Sequence, residues 1–270
     1  MAKHIPGPLY YQLQGATGPV MIFLHSTPDE HRLWMYQTAR FSAWYRTIAV
    51  DLAGYGRSAP PQDGVTLADQ AEACWEVVDT ISDGKLIIHG NSMGSFIGFH
   101  MAKQRPERTH CLIMSGTGYI PGPVRAPMKA WKERYEKEGI ALRHYQVLDH
   151  FSDAAKKLPH VQYYANMICE LNNPATVGAI IAMNAALMNA EPDSFWNDCP
   201  VPLMIVSGTG DRNHPAAVTL HERMKGSELR VVEGAGHAVM QEAPWLYDRY
   251  AIEFLTKLGL HTGPKENKNG

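Results

Sequence analysis

The sequence predicts an α/β protein: a mostly parallel, doubly wound sheet with an inserted all-helical cap. Three observations predict it. Short apolar runs alternate with helical stretches through residues 9–116 and again from 200 onward, the pattern of parallel strands joined by helical crossovers. Between these two parts, residues 117–199 contain no strand-like run. Several of the apolar runs end in glycine-rich or polar turns that carry serine, aspartate or histidine, at the strand ends where open α/β sheets place their chemistry.

Residues 9–14 and 20–25 read as the first strands and 31–43 as a helix. Residues 47–51 read as a strand. Thr66 with Asp69 three positions on forms a capping-box signature that opens a helix reaching about Ile81. Strands follow at 85–90 and 110–115. The segment Gly118-Tyr119-Ile120-Pro121-Gly122-Pro123 has linker composition. Helices are then expected near 127–138, 141–151, 153–170 and 174–189 before the strand runs resume at 202–207 and 229–233.

The most informative stretch is Leu86-Ile87-Ile88-His89-Gly90-Asn91-Ser92-Met93-Gly94. An apolar strand stops, a serine sits between two spaced glycines, and a helix runs on to about Gln104. So tight a turn forces Ser92 into a strained backbone conformation, and side chains at positions 90 and 94 would collide. The hydroxyl is thereby held clear of the sheet at the positive end of a helix. Two further runs supply what a serine nucleophile needs. Pro202 to Ser207 ends in Gly208-Thr209-Gly210-Asp211, and Leu229 to Glu233 ends in Gly234-Ala235-Gly236-His237. A neutral imidazole takes the serine proton and passes it to the leaving group, while a carboxylate fixes the imidazole tautomer and stabilises the imidazolium. Asp211 could instead only cap the helix that begins near Pro215. Its company with Ser92 and His237 favours the catalytic role. Of the 13 histidines, His237 stands out by its loop, with His25 as its one serious rival.

An oxyanion needs two backbone N–H donors. One comes from the residue after the nucleophile, Met93. The other is assigned to the turn that follows the early strand Val20-Met21-Ile22-Phe23-Leu24, which reads His25-Ser26-Thr27-Pro28. Thr27 is preferred to Ser26 as that donor. His25 is expected to pack the loop against the sheet at the edge of the substrate site, and the Ser26 hydroxyl to reach the substrate.

These motifs make the chain resemble the α/β-hydrolase superfamily, in the subgroup with a small helical cap. The order Ser92, Asp211, His237 is that family's order. Asp51-Leu52-Ala53-Gly54-Tyr55-Gly56-Arg57-Ser58 is similar to its D-x-x-G-x-G-x-S loop, and Glu242-x-Pro244 after the histidine is also typical. The resemblance implies the α/β-hydrolase fold, with a core formed by 1–116 and 200–262 and a helical cap over 117–199; the polar composition of the C-terminal tail, 263–270, predicts disorder there. Within the cap, Tyr119, Trp131 and Met183 are expected to line an apolar pocket above Ser92. The chain departs from the family in carrying Ser26 where glycine is usual.

The nucleophile narrows the chemistry. Related dehalogenases and epoxide hydrolases carry aspartate at the elbow, so Ser92 speaks against both. Gly-Asn-Ser-Met-Gly also occurs in carbon–carbon bond hydrolases of ring-fission diketones, but those carry a longer oxyanion loop and a tryptophan after the histidine, where this chain has Ala238. The expected function is therefore a serine hydrolase of a small or medium ester, lactone or related acyl substrate. Carbon–carbon cleavage is the runner-up, and a ligand receptor on the same scaffold is a third reading.

A net charge of −2 and a pI near 6.7 give no reason to expect nucleic acid or an anionic membrane as partner. No apolar run is long enough to span a bilayer. The N-terminus has no signal-peptide core, and the four cysteines are widely spaced without a C-x-x-C pair, which fits a reduced, cytoplasmic protein. No metal-ligand spacing stands out. A small-molecule substrate and no cofactor are expected, and the sequence does not set the oligomeric state.

Overall fold

The computed structural model of the chain describes residues 3–118, 126–171, 174–188 and 191–261. Its centre is a seven-stranded sheet. The first half supplies β1 (Tyr11–Gln14), β2 (Val20–Leu24), helix α1 (Met35–Phe41), β3 (Arg46–Val50), α2 (Leu67–Asp79), β4 (Leu86–Asn91), α3 (Met93–Gln104) and β5 (Thr109–Ser115). Four helices follow: α4 (Ala126–Glu138), α5 (Leu142–Asp149), α6 (Pro159–Cys169) and α7 (Pro174–Met188). The chain then returns with β6 (Leu203–Gly208), α8 (His214–Arg223), β7 (Glu228–Val232), α9 (Val239–Glu242) and α10 (Pro244–Lys257). Strand order is β1-β3-β2-β4-β5-β6-β7. Only β1 runs antiparallel to its neighbour.

Burial explains why the central strands read as unbroken apolar runs: every residue of β2, β4 and β6 is buried, as expected of parallel strands covered on both faces. Alternate side chains feed two cores. Val20, Ile22, Leu24, Leu86, Ile88, Leu112, Met114, Leu203 and Ile205 pack on one face with α2, α3 and α7. Met21, Phe23, Ile87, Cys111, Ile113, Met204 and Val206 pack on the other with α1, α6 and α10. The helices between β5 and β6 thus join both cores and form the inserted cap.

Thr66 and Asp69 make the expected capping box: the Asp69 N–H donates to Thr66 Oγ1 at 3.1 Å, and the Thr66 N–H donates to Asp69 Oδ2 at 2.9 Å. Two expected helices are interrupted. The segment 31–43 opens as a tight 3-10 turn over His31–Trp34, because the His31 N–H and ring both bind the Asp51 carboxylate at the end of β3. The stretch 153–170 is a short turn and then α6, because Leu158 precedes Pro159 and is driven into an extended conformation, ψ 136°. The tail expected at 263–270 lies outside the described residues.

Candidate active site

The turns after β2, β4, β5, β6 and β7 leave the same edge of the parallel sheet, and the candidate residues sit on them. Ser92 joins β4 to α3 with φ 52° and ψ −116°. Among the described residues only His4 and Ser92 are non-glycine residues with positive φ, a conformation that costs of order 1–3 kcal/mol. The surroundings hold it there. The Ser92 N–H donates to the Ser115 carbonyl at 2.8 Å, and the Ser95 N–H donates to the Ser92 carbonyl at 2.9 Å. Ser95 Oγ lies within hydrogen-bond distance of both the Gly90 and Ser115 carbonyls.

Both flanking glycines are sterically required. A Cβ on Gly90 would stand 2.4 Å from the Gly94 carbonyl oxygen. One on Gly94 would stand 2.1 Å from the Leu24 carbonyl oxygen and 2.7 Å from that of His25. This close approach seats the turn after β2, which carries Thr27, directly on the first turn of α3, which begins with Met93. Being the first helical residue, Met93 has an N–H with no intrahelical acceptor. Tyr55 donates its hydroxyl to Thr27 Oγ1 at 2.9 Å, fixing the Thr27 side chain from the other side.

Asp211 and His237 are brought together. His237 Nδ1 lies 2.9 Å from Asp211 Oδ2, and the Asn213 N–H donates to Asp211 Oδ1 at 2.9 Å. Burial alone would raise the Asp211 pKa, but the facing His237 ring and the Asn213 N–H outweigh it and hold the carboxyl below its ordinary value. With Asp211 ionised, Nδ1 carries the proton and Nε2 is left as the basic nitrogen. Asp211 is not the cap of α8: that position is Asn213, which makes no side-chain capping bond. Gly116, after β5, lies against the pair; a Cβ there would come 3.1 Å from His237 Cε1. Beside the pair a cavity of 330 Å³ opens between Phe151 and Ser152 on one side and Gly210, Asp211, Arg212 and His237 on the other.

Glu242 ties the histidine loop to the cap. Its carboxylate accepts the Gly236 N–H at 3.1 Å, the Ser152 N–H at 3.0 Å and the Ser152 hydroxyl. That accounts for the Glu242-x-Pro244 signature: Pro244 starts α10, and Glu242 anchors the loop before it.

The residues expected at the substrate fall in several places. His25 is fully buried, and both ring nitrogens are used: Nε2 accepts the Leu52 N–H at 2.9 Å, so Nδ1 carries the hydrogen donated to the Ser26 carbonyl at 2.8 Å. Burial lowers its pKa, consistent with a neutral ring. Ser26 is also fully buried, with its hydroxyl donated to Asp29 Oδ2. Both side chains therefore brace the loop from within. Trp131 sits on α4 against Tyr145, under the Arg134 guanidinium. Met183, buried on α7, accepts the Gln70 amide N–H at its sulfur, joining cap to core. Tyr119 lies outside the described residues.

Among the described residues, one group of three metal-ligand types occurs near the loop: Glu30, His31 and Asp51. Burial alone would lower the His31 pKa, but hydrogen bonds and charge from Asp51 and Glu30 raise it to about 9. His31 Nδ1 hydrogen-bonds Asp51 Oδ1 at 2.7 Å and lies 2.5 Å from Glu30 Oε2 as an ion pair, and Arg32 Nε donates to Glu30 Oε1 at 2.6 Å. The trio reads as an ion-pair bridge that fastens the turn after β2 to β3.

Sequence reasoning missed three cap residues that grip that turn. Tyr164 donates its hydroxyl to Asp29 Oδ1 at 2.9 Å, His150 Nδ1 lies 3.3 Å from Asp29 Oδ2, and the fully buried Arg143 donates Nε–H to the Pro28 carbonyl at 2.9 Å. No local pattern marks them, because each contact joins segments far apart in the chain.

Residues 21–247 match the model of the alpha/beta hydrolase family, and the chain belongs to that family. Among curated relatives, Epoxide hydrolase 1 of Caenorhabditis elegans is 23% identical over 92% of this chain and 67% of its own length. Among solved structures, an esterase from Exiguobacterium antarcticum superposes with a TM-score of 0.81 at 22% identity, covering 92% of this chain and 95% of that one. The enol-lactonase from Burkholderia xenovorans does so with a TM-score of 0.79 at 20% identity, covering 92% and 96%. No described helix is long and apolar enough to cross a membrane.

Proposed function

We propose that the chain is a serine hydrolase that cleaves a small or medium ester, lactone or related acyl substrate through an acyl-enzyme. The observation that carries this reading is the strained Ser92 at the head of α3, on the same sheet edge as a buried carboxylate–imidazole pair with its proton on Nδ1. Ser92 Oγ attacks the acyl carbonyl while His237 Nε2 accepts its proton. The Met93 and Thr27 N–H groups hold the oxygen of the tetrahedral intermediate. His237 then protonates the leaving alcohol as the carbon–oxygen bond breaks. A water molecule gives its proton to the same nitrogen and attacks the acyl group, and the acid departs as Ser92 recovers its hydrogen.

Every step uses side chains and backbone N–H groups of this chain, so the reading requires no cofactor. The cap, taken as residues 117–199, covers the site and selects a small molecule. Serine at the elbow separates this chemistry from that named for the epoxide hydrolase relative. The esterase and lactonase names of the structural neighbours agree with it. The four unpaired cysteines support a reducing, cytoplasmic setting. Turnover assays against a panel of activated esters, lactones and ring-fission diketones test the proposal: ester or lactone hydrolysis that disappears in Ser92→Ala is the expected result. Turnover of diketones alone would replace it with carbon–carbon cleavage.

A further inference from the structure

His150 ends α5 on the cap, is buried, and packs its ring against that of His237 with centroids 4.8 Å apart. Its backbone takes part as well. The His150 carbonyl accepts the Ala238 N–H at 3.0 Å, and a Cβ on Gly236 would stand 2.8 Å from the same oxygen. The residues on either side of His237 are thus moulded to His150. On its other side the ring meets Asp29 Oδ2 at 3.3 Å. Asp29 is fully buried for a carboxylate, 1% exposed, and accepts from Tyr164 and Ser26 in addition.

Two carboxylate–imidazole pairs therefore meet ring against ring: Asp211 with His237, and Asp29 with His150. The second pair has no part in the mechanism above. It does touch both halves of the machinery, since Asp29 holds Ser26 in the turn that carries Thr27, and His150 bears on His237. Resting on that mechanism, we propose that cap residue His150, anchored by Asp29, is a positioning residue that fixes the His237 ring and keeps it in register with the turn carrying Thr27. Burial works against charge on Asp29, yet its bonds to His150, Ser26 and Tyr164 hold its pKa below the ordinary value, so the anchor is an ionised acceptor.

The chemistry explains why this position needs an imidazole. His237 gains a proton and loses it twice in each turnover. A ring free to tilt would spend much of its time away from Ser92, and small misplacements of a catalytic group cost up to roughly a hundredfold in rate. A flat side chain braces the ring, and a ring nitrogen 3.3 Å from a fixed carboxylate gives the brace a polar contact that resists turning. Phenylalanine would supply only the first property.

The test uses the full-length protein and two readouts. Steady-state hydrolysis of an activated ester is measured for His150→Ala, His150→Phe, Asp29→Asn and the Asp29→Asn/His150→Ala double variant, with exposed His160→Ala as control. The proposal expects kcat to fall roughly ten- to a hundredfold in each single variant, with KM within about threefold, and the double variant to be no worse than the poorer single one. Proton NMR of the resting enzyme follows the low-field Nδ1–H of His237, assigned by its loss in His237→Gln. This signal should broaden or vanish in His150→Ala and His150→Phe and persist in His160→Ala. His150→Phe preserves bulk and guards against a variant that merely unfolds. Wild-type kcat with an unchanged signal in both His150 variants would overturn the proposal, as would effects of Asp29 and His150 that simply add. The NMR signal does not depend on substrate, so failure of the acyl-enzyme reading would leave this arm intact and be recognised separately.

Discussion

Asp211 and His237 leave different strands, β6 and β7, and meet through one hydrogen bond of 2.9 Å between Oδ2 and Nδ1. The bond favours the tautomer with its hydrogen on Nδ1, which leaves Nε2 free for the proposed role of base. Asp211→Asn would offer an amide that can donate to Nδ1 and favour the opposite tautomer. Turnover should fall on the order of 10⁴-fold with the fold retained. Activity assays beside circular dichroism check this. Asp51→Asn is the informative contrast, because Asp51 braces His31 and the Arg57 N–H rather than His237. It should lower stability more than it lowers the rate per folded molecule, and the reverse result would place the acid at Asp51.

The contact between Gly94 and the carbonyls of Leu24 and His25 joins the two segments that carry Met93 and Thr27, the proposed oxyanion donors. A methyl group at position 94 must push them apart. Gly94→Ala is expected to cost about 1–3 kcal/mol in stability, and turnover of the remaining folded protein should drop as well. Urea unfolding and ester turnover on the same sample measure both. Wild-type activity in Gly94→Ala would detach the turn after β2 from catalysis.

His31 gives stability a defined pH dependence. Its folded pKa is raised to about 9, above the unfolded value of roughly 6.5. Its contribution is therefore complete below about 6.5 and is lost as pH rises through about 9, for a total on the order of 1–3 kcal/mol. Urea midpoints taken at about pH 6 and about pH 10 should fall in the wild type and fall less in His31→Gln. An identical decline in the two proteins would assign the effect to other groups.

Much of this architecture was legible in the sequence, because its causes are local. The runs in β2, β4, β5 and β6 are apolar since both faces are covered, and Gly90 and Gly94 flag the elbow since no side chain fits beside it. Thr66 with Asp69 declares a helix start by itself. What escaped depends on contacts between distant segments. Nothing near Asp29 shows that Tyr164 of the cap will reach it, and nothing near His150 shows that it will lie on His237. The bond from the Leu52 N–H to His25 Nε2 likewise joins residues 27 positions apart. The interrupted helices follow the same division: Pro159 explains one from local sequence, whereas the tight turn at His31–Trp34 meets Asp51 in the loop after β3.

The central claim is that Ser92 carries the acyl group. It is tested most directly by mixing the enzyme with an activated ester, quenching in acid over a range of times, and analysing the peptide containing Ser92 by mass spectrometry. The account predicts a mass increase equal to the acyl group on Ser92, formed and lost at rates that accommodate steady-state turnover. Rapid turnover with no adduct on Ser92 at any time, or an adduct on another residue, would contradict it.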